Sequence, residues 1–166
     1  MRISIREQNM LDNDFLFMRR AIEISLENVK KGRGPFGAVI TRKGEILAES
    51  CNLVTELNDP TAHAEINVIR VAAQRLKTFD LSGCVIYSSC EPCPMCLGAI
   101  YWARIDKVFF ANTTADAKSI GFADSRIYEE ISLPLQERYI EFHQLLREEA
   151  LGAFKAWEES ENRVEY

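Results

Sequence analysis

The sequence predicts an α/β layered domain, in which helices pack against one central sheet. Its 166 residues suit a single domain with one hydrophobic core. Hydrophobic residues make up 47% of the chain and charged residues 27%, an ordinary composition for a globular protein. In the middle of the chain, short apolar runs alternate with helical patterns in the order strand, helix, strand, helix, strand. This order indicates two right-handed crossovers onto one sheet.

The first predicted elements are a helix and a hairpin. Apolar side chains recur at steps of three and four from about residue 14 to about residue 31, which predicts an amphipathic helix. They are Phe15, Met18, Ile22, Leu26 and Val29. The helix breakers in residues 32–35 end it. Two apolar runs, 36–41 and 46–50, flank the turn residues 42–45 and predict an antiparallel hairpin.

Helices and strands alternate after the hairpin, and the pattern weakens beyond residue 121. Pro94 suits the first turn of a helix, because proline is favoured there. The predicted elements are a helix over 62–76, a strand over 85–88, a helix over 94–103, a strand over 107–111, a helical turn over 115–120 and a helix over 152–160. Residues 139–146 fit either a strand or the start of a helix.

The charge pattern bears on partners and location. The chain has 20 basic and 25 acidic residues and a net charge of −5, whereas proteins that bind polynucleotides normally carry a basic stripe. We therefore expect no nucleic-acid partner. The N-terminus carries charges where a signal peptide needs an apolar stretch, and no apolar run approaches the roughly 18 residues of a membrane span. A cytoplasmic protein without a membrane partner is expected.

The residues with the clearest chemistry lie in two short segments, 61–65 (TAHAE) and 91–96 (EPCPMC). The imidazole of His63 and the thiolates of Cys93 and Cys96 are good zinc ligands, and a catalytic zinc commonly has three protein ligands plus water. Two of the five cysteines form a C-x-x-C motif, which in a cytoplasmic chain favours a metal site over a disulfide framework. The sequence therefore predicts one Zn²⁺ per chain, with a bound water or hydroxide.

The positions of these residues on two helices set a condition for the metal site. Cys93 and Cys96 are three residues apart, so both should lie on one side of a first helical turn, where the helix dipole favours thiolates. Glu65 follows His63 by two residues, about 200° around an α-helix. The two side chains can converge on one metal only if their helix does not begin well before Ala62.

Glu65 is the predicted catalytic residue. Zinc lowers the pKa of bound water to near 7. A nearby carboxylate that is not a ligand can take the water's proton and deliver it to a ring, then to departing ammonia. The combination H-x-E…P-C-x-x-C is the signature of zinc deaminases.

A structural zinc site is the alternative, because Cys90 extends the second segment to C-x-x-C-x-x-C. The three cysteines of that run and His63 would then close the zinc site with four protein ligands. Such a site gives no reason for Glu65 beside the histidine, and Pro92 would turn Cys90 away. An iron–sulfur site is weaker still, because no fourth cysteine completes the pattern.

Beyond these motifs, the chain resembles the cytidine deaminase superfamily and, within it, the bacterial guanine deaminases. The segments that carry the resemblance are 34–40, 58–65, 89–104, 121–122, 127–128, 155–157 and 165–166. The resemblance implies a three-layer fold with a mixed five-stranded sheet and helices on both faces. It also implies one deaminase domain over 1–166 and a homodimer. In that dimer the C-terminal segment 140–166 is exchanged between protomers and covers the partner's pocket.

The resemblance further implies hydrolysis of guanine to xanthine and ammonia, in which zinc hydroxide attacks C2 while Glu65 protonates N3. Asn52 matches an asparagine that contacts the substrate ring, Asp116 an acidic residue that faces the purine edge, and Tyr166 a terminal tyrosine that closes over the pocket. A carboxylate can accept hydrogen bonds from N1–H and the amino group of guanine, whereas N1 of adenine presents a lone pair. The plainer alternatives are a turn residue, a solvated carboxylate and a mobile chain end, respectively.

Two aromatic residues, Phe36 and Trp102, are candidate stacking partners for a purine. Aromatic side chains at such positions are as often part of the core. Neither Cys90 nor His143 receives a role in the catalytic interpretation.

Three other functions stay open. A tRNA adenosine deaminase shares the H-A-E and P-C-x-x-C elements, but it should carry a basic C-terminal helix, and residues 141–166 are rich in glutamate instead. Cytosine or a triazine is a further possible substrate, because one pocket can tolerate related rings. The alternative from another class is a zinc-stabilised interaction domain without catalysis.

Overall fold

The computed structural model describes residues 5–122 and 124–166, with side chains from residue 12 onward. The elements are α1 (Ile5–Lys30), β1 (Gly37–Arg42), β2 (Glu45–Cys51), α2 (Val54–Leu57), α3 (Ala64–Leu76), β3 (Cys84–Cys90), α4 (Pro94–Trp102), β4 (Lys107–Asn112), α5 (Thr114–Ser119), α6 (Ser125–Ser132), a 3₁₀ turn (Leu135–Glu137) and α7 (Arg147–Glu158). The chain divides after Ser125 into two compact units, and the sheet lies in the first.

The sheet is mixed, as predicted, with strands in the order β2-β1-β3-β4. β1 is antiparallel to both β2 and β3, whereas β3 and β4 are parallel. The predicted hairpin is confirmed: Arg42 pairs with Glu45 across the loop Lys43-Gly44. Both loop residues have positive φ, which matches the twist that a two-residue hairpin loop requires.

The prediction of a fifth strand is wrong for the part of the chain that the structure describes, where the sheet has four. Residues 139–146, the candidate for a further strand, have no regular secondary structure. An extended segment needs a neighbouring strand for its backbone hydrogen bonds, and the regular elements of the second unit are helical. Cation–π contacts hold this segment instead, with Arg126 over the ring of Tyr139 and Arg138 over the ring of Phe142.

Helices cover both faces of the sheet, as expected. Successive side chains of β1 point to opposite faces. Val39 packs against Ala21 and Ile24 of α1, whereas Ala38 and Ile40 belong to a second cluster with residues of α3 and α4. The first unit therefore has three layers, with α1 on one side of the sheet and α3 and α4 on the other.

Most helices begin and end near the predicted residues. The exceptions are α1, which begins at Ile5 instead of near residue 14, and α7, which begins at Arg147 instead of near residue 152. The helices α2 and α6 were not predicted. Among the described helices, none combines the length and the apolar character needed to cross a membrane.

Gly37 allows α1 to lie directly against the start of β1. A Cβ atom at this position would come within 2.5 Å of the Ala21 carbonyl oxygen and 2.7 Å of the Ser25 backbone nitrogen. Both atoms belong to helix backbone, which cannot move aside without displacing the whole element. We expect Gly37→Ala to lower the free energy of unfolding by roughly 1–3 kcal/mol or more, measured by urea denaturation.

Gly98 provides the matched control for this substitution. It lies inside α4, and an added Cβ would meet no atom within 4 Å. Alanine is a better helix former than glycine, so Gly98→Ala should leave stability unchanged or raise it by roughly 0.5–1 kcal/mol. Equal unfolding midpoints for the Gly37 variant and the unsubstituted protein would contradict the close packing of α1.

Candidate metal centre and active-site cavity

The structure brings the three predicted zinc ligands together. The ligand atoms of His63, Cys93 and Cys96 all lie within 4.8 Å of one another. Nδ1 of His63 is 3.6 Å from Sγ of Cys93 and 3.5 Å from Sγ of Cys96. A tetrahedral zinc with bonds of about 2.3 Å to sulfur and about 2.05 Å to nitrogen would separate these atoms by about 3.6 Å. The donor set and its spacing therefore fit zinc.

Two helix starts hold the ligands in place. His63 is the N-cap of α3, with extended backbone angles of φ −67° and ψ 158°, so the helix begins one residue later at Ala64. The sequence required that this helix should not begin well before Ala62, and that requirement is met. Because His63 lies outside the helix, its side chain need not point about 200° away from that of Glu65. Both residues line the same cavity.

The second helix start corrects one detail of the prediction. Cys93 does not lie in the first turn of α4 but is its N-cap, with φ −65° and ψ 168°. Pro94 is the first residue of the helix and Cys96 is the third. The hydrogen bond shared by the two cysteines lowers the pKa of Cys93 to about 4, because the Cys96 side chain stabilises the thiolate. The same contact raises the pKa of Cys96, so Cys93 is the cysteine that deprotonates first.

Glu65 lies beside the ligands without belonging to the ligand cluster. Its side chain is buried, and this burial is the main cause that raises the pKa of the carboxyl group. Ser88 donates a hydrogen bond of 3.1 Å to Oε1 of Glu65. A carboxylate with a raised pKa accepts a proton more readily than a glutamate in solvent, which suits a proton shuttle.

Cys90 does not join the metal cluster formed by the described residues. Its Sγ donates a hydrogen bond of 3.6 Å to the carbonyl oxygen of Thr113, and burial raises the pKa of the thiol to about 11. The four-ligand structural site is therefore not formed. Three protein ligands leave one position of a tetrahedral metal open, which is the arrangement of catalytic zinc.

Substitution of single cysteines tests this arrangement. Cys90→Ala should keep one zinc per chain, because its thiol is not a ligand. Cys93→Ala should lose most of the zinc, because two remaining ligands cannot hold the metal tightly. Metal content after gel filtration, measured by atomic emission, checks both. Zinc loss from the Cys90 variant would restore the four-ligand site.

A cavity of about 540 Å³ opens next to the metal ligands. This volume is within the usual range for small-molecule sites. The predicted site residues that line it are Phe36, Asn52, His63, Glu65 and Cys93. The first unit thus brings a stacking candidate, a polar contact, two metal ligands and the proposed proton shuttle into one space.

Two predicted substrate contacts of the first unit, Asp116 and Trp102, do not line this cavity. The carboxylate of Asp116 caps α5, where it accepts hydrogen bonds of 2.8 and 2.7 Å from the backbone N–H and the hydroxyl of Thr113. These bonds lower the pKa of Asp116. Trp102 is 67% exposed at the end of α4, and Tyr166 belongs to the second unit. The structure therefore supports the plainer interpretation of Asp116 and leaves the roles of the other two as predictions.

Asp124 and Phe122 line the cavity although sequence reasoning did not select them. Burial raises the pKa of Asp124, and the nearby Cys93 raises it further. The ring of Phe122 meets that of Phe36 edge-on, with centroids 4.9 Å apart. A signal was present, since Gly121-Phe122 belongs to the segments of family resemblance and Asp124 follows two residues later.

Comparisons with known proteins agree with this site. Residues 11–112 match the family described as the cytidine and deoxycytidylate deaminase zinc-binding region. A guanine deaminase of Bacillus subtilis (strain 168) is 51% identical over 155 residues, which cover 93% of this chain and 99% of that protein. The X-ray structure of guanine deaminase from Bacillus subtilis has a TM-score of 0.88 to this fold and covers 91% of this chain and 97% of that one.

Other relatives match a smaller part of the chain. A tRNA-specific adenosine deaminase of Aquifex aeolicus is 44% identical over 57% of this chain and 63% of its own length. A structure of guanine deaminase from Nitrosomonas europaea is 31% identical, with a TM-score of 0.63 over 65% of this chain and 63% of that one. The chain therefore belongs to the cytidine and deoxycytidylate deaminase family of zinc-dependent hydrolases.

Proposed function

We propose that this protein hydrolyses guanine to xanthine and ammonia. The observation that carries the proposal is the meeting of an open three-ligand zinc site with buried Glu65 and with Asn52 and Asp124 in one cavity. The extent of similarity to a guanine deaminase, 99% of that protein's length, supports this substrate over those of relatives matched in part.

His63, Cys93 and Cys96 hold the zinc ion, which when bound makes water acidic enough to supply hydroxide near neutral pH. Glu65 takes one proton from the water whose oxygen adds to C2 of guanine, and passes it to ring nitrogen N3. It then carries the second proton of that oxygen to the amino group on C2, so that the C2–N bond breaks, ammonia leaves and a C2 carbonyl group remains. Water and guanine are thereby converted to xanthine and ammonia, with Glu65 returned to its initial state.

Asn52 and Asp124 recognise the purine in this proposal. Oδ1 of Asn52 accepts a hydrogen bond of 3.2 Å from the backbone N–H of Val54, which assigns the orientation of the amide and leaves its NH₂ group for ring acceptors. The carboxylate of Asp124 takes the role that the sequence suggested for Asp116, acceptor for N1–H and the amino group of guanine. Phe36 and Phe122 supply aromatic surface for the ring.

The tRNA adenosine deaminase alternative is less well supported. Residues 141–166 contain seven acidic and three basic side chains, and the chain as a whole has a net charge of −5. Binding of a polynucleotide draws most of its affinity from contacts of Lys and Arg with phosphates. A small neutral base makes no such demand.

A screen for ammonia release tests the proposed function. Purified holoenzyme is assayed with guanine, adenine, cytosine, their nucleosides, triazines and an adenosine-containing tRNA anticodon stem. We expect turnover of guanine to exceed that of every other compound. Absence of activity on guanine at micromolar enzyme would refute the substrate assignment, and turnover of the tRNA stem alone would establish the alternative.

We also propose a cytoplasmic homodimer in which the segment 140–166 covers the partner's cavity. Large apolar side chains of the second unit are exposed within one chain, including Leu145 at 80% and Phe154 at 71%, and a second protomer would bury them. The five cysteines, all within the described residues, form no disulfide, which favours a reducing compartment.

Removal of the C-terminal residues 162–166 tests whether this segment acts as a lid. We expect kcat to fall about tenfold or more, because a lid excludes water and completes the site. The melting temperature should change little, since all five residues are exposed. A truncated protein with full kcat would show that Tyr166 does not close the cavity.

A further inference from the structure

Two buried asparagines meet the end of β2 from opposite faces of the sheet. Asn28 of α1 is 1% exposed, and its Nδ2 donates hydrogen bonds of 2.8 Å to the carbonyl oxygens of Asn52 and Gly34. Asn67 of α3 is 8% exposed, and its Nδ2 donates hydrogen bonds of 3.0 Å to the carbonyl oxygens of Cys51 and Ala62. Two successive carbonyl groups, of residues 51 and 52, are thus each bound by one amide.

These bonds act where the sheet can no longer hold the chain. β2 ends at Cys51, so Asn52 lies just beyond the strand that would have fixed its backbone. Its backbone N–H still donates to the carbonyl oxygen of Phe36, at 3.1 Å. With the amide of Asn28 on its carbonyl group, both backbone polar groups of Asn52 are occupied.

The side chain of Asn52 is held as well. Oδ1 accepts the hydrogen bond from Val54, and Gly34 packs so closely that an added Cβ would lie 3.2 Å from Oδ1. The NH₂ group, which has no part in this bond, is left for a ligand in the cavity, and its direction depends on the backbone of residues 51 and 52. A shift of this backbone would move the NH₂ group away from the purine.

A side-chain oxygen left unpaired by the described residues indicates that Asn28 has a role beyond stability. Its Oδ1 atom is buried and has no hydrogen-bond partner among the residues that the structure describes. An unpartnered buried acceptor costs stability, and such atoms in folded proteins call for an explanation. The explanation that the contacts offer is the Nδ2 group, which joins the two cavity walls formed by Gly34 and Asn52.

We propose that Asn28 and Asn67 are positioning residues that act on the substrate through Asn52. Asn28 connects Asn52 to the wall at Gly34, and Asn67 connects the preceding residue to Ala62, the neighbour of the zinc ligand His63. The pair therefore sets the distance between the group that recognises the purine and the metal that acts on it. This inference rests on the proposed function, because Asn52 must contact the purine.

Kinetics with double variants test the proposal. Asn28→Ala and Asn67→Ala should each raise KM for guanine about 3- to 10-fold, the effect of one misplaced hydrogen bond, and leave kcat within about twofold. In an Asn52→Ala background, each should change kcat/KM by less than about twofold, because the Asn52 side chain that they position is gone. An equal loss in both backgrounds, or a fall in kcat with loss of zinc, would show a general structural role and overturn the proposal.

Two further variants keep the test independent of folding. Ser25→Ala is the matched control. Ser25 is also buried on α1, but among the described residues its hydroxyl bonds to the carbonyl oxygen of Ile22 within the same helix, so KM should not change. Gly34→Ala would place a Cβ atom 3.2 Å from Oδ1 of Asn52 and changes no residue of α1 or α3. It should raise KM in the wild-type background alone. A KM increase that persists without the Asn52 side chain would count against the proposal.

NMR spectroscopy separates this proposal from the proposed function. The side-chain NH₂ resonances of Asn52, assigned by their loss in Asn52→Ala, need no substrate. They should shift or broaden in Asn28→Ala and Asn67→Ala and stay unchanged in Ser25→Ala. Unchanged resonances in the first two variants would refute the positioning role, whereas a wild-type protein inactive on guanine would refute the function.

Discussion

Replacement of Glu65 by glutamine should lower kcat for guanine by roughly 10²–10⁴-fold, the usual contribution of a positioned acid–base residue. Glutamine has the size of the buried carboxyl group and can still accept the hydrogen bond from Ser88, so the cavity should keep its shape. It cannot take a proton from water or return one to the purine. The variant should therefore have a slower chemical step and an unchanged fold.

Three measurements on the Glu65 variant separate catalysis from metal binding. Zinc content and melting temperature should equal those of the wild type, because Glu65 is not a ligand. Steady-state ammonia release should then show the loss in kcat. Cys93→Ala is the comparison, since it should lose metal and activity together. A Glu65→Gln protein with wild-type turnover would refute the proton shuttle and leave a zinc-stabilised interaction domain as the better explanation.

Asp124→Asn is expected to have the second large effect. In the proposed complex the carboxylate accepts hydrogen bonds from N1–H and the amino group of guanine. An asparagine at this position has no charge, and its NH₂ group would face one of these two purine donors. A hydrogen bond to a charged group contributes about 1.5–3 kcal/mol, so kcat/KM for guanine should fall roughly 10- to 200-fold. The metal content should not change.

Asp116→Asn is the matched control, because it makes the same chemical change in a neighbouring segment. The carboxylate of Asp116 accepts the backbone N–H of Thr113 in the capping box of α5, and the amide oxygen of an asparagine can accept the same hydrogen bond. We expect kcat/KM within about threefold of wild type and at most a small loss of stability. Both variants are compared by full kinetic curves on guanine. A large loss with Asp116→Asn and none with Asp124→Asn would restore the assignment made from the sequence.

The metal centre could be predicted from the sequence because its chemistry lies in local motifs. His63 and the pair Cys93 and Cys96 occur in segments whose spacing suits a helix start, and the start of a helix exposes the residue before it. The apolar periodicity likewise predicted the hairpin and the main helices, because burial of one face requires a repeat of two or of 3.6 residues. The helices on both faces of the sheet were implied by the family resemblance.

The acidic residue that lines the cavity could not be predicted in the same way. Asp116 and Asp124 are both acidic residues after β4, and no local pattern tells which carboxylate caps a helix and which enters a cavity. The strand count also depended on partners, since residues 139–146 have an apolar composition that suits a strand but no strand to pair with in their unit.

The sequence by itself determined the grouping of His63, Cys93 and Cys96 and the alternation of helices and strands, and it predicted Glu65 as the proton shuttle. These features depend on neighbours within a few residues. Only the tertiary structure decided that Cys90 bonds to a carbonyl oxygen and that Asp124 and not Asp116 lines the cavity. It also decided that Asn28 bonds to the carbonyl group of Asn52 and Asn67 to that of Cys51. Contacts of this kind join residues more than 15 positions apart, and their partners are chosen by packing of the whole fold.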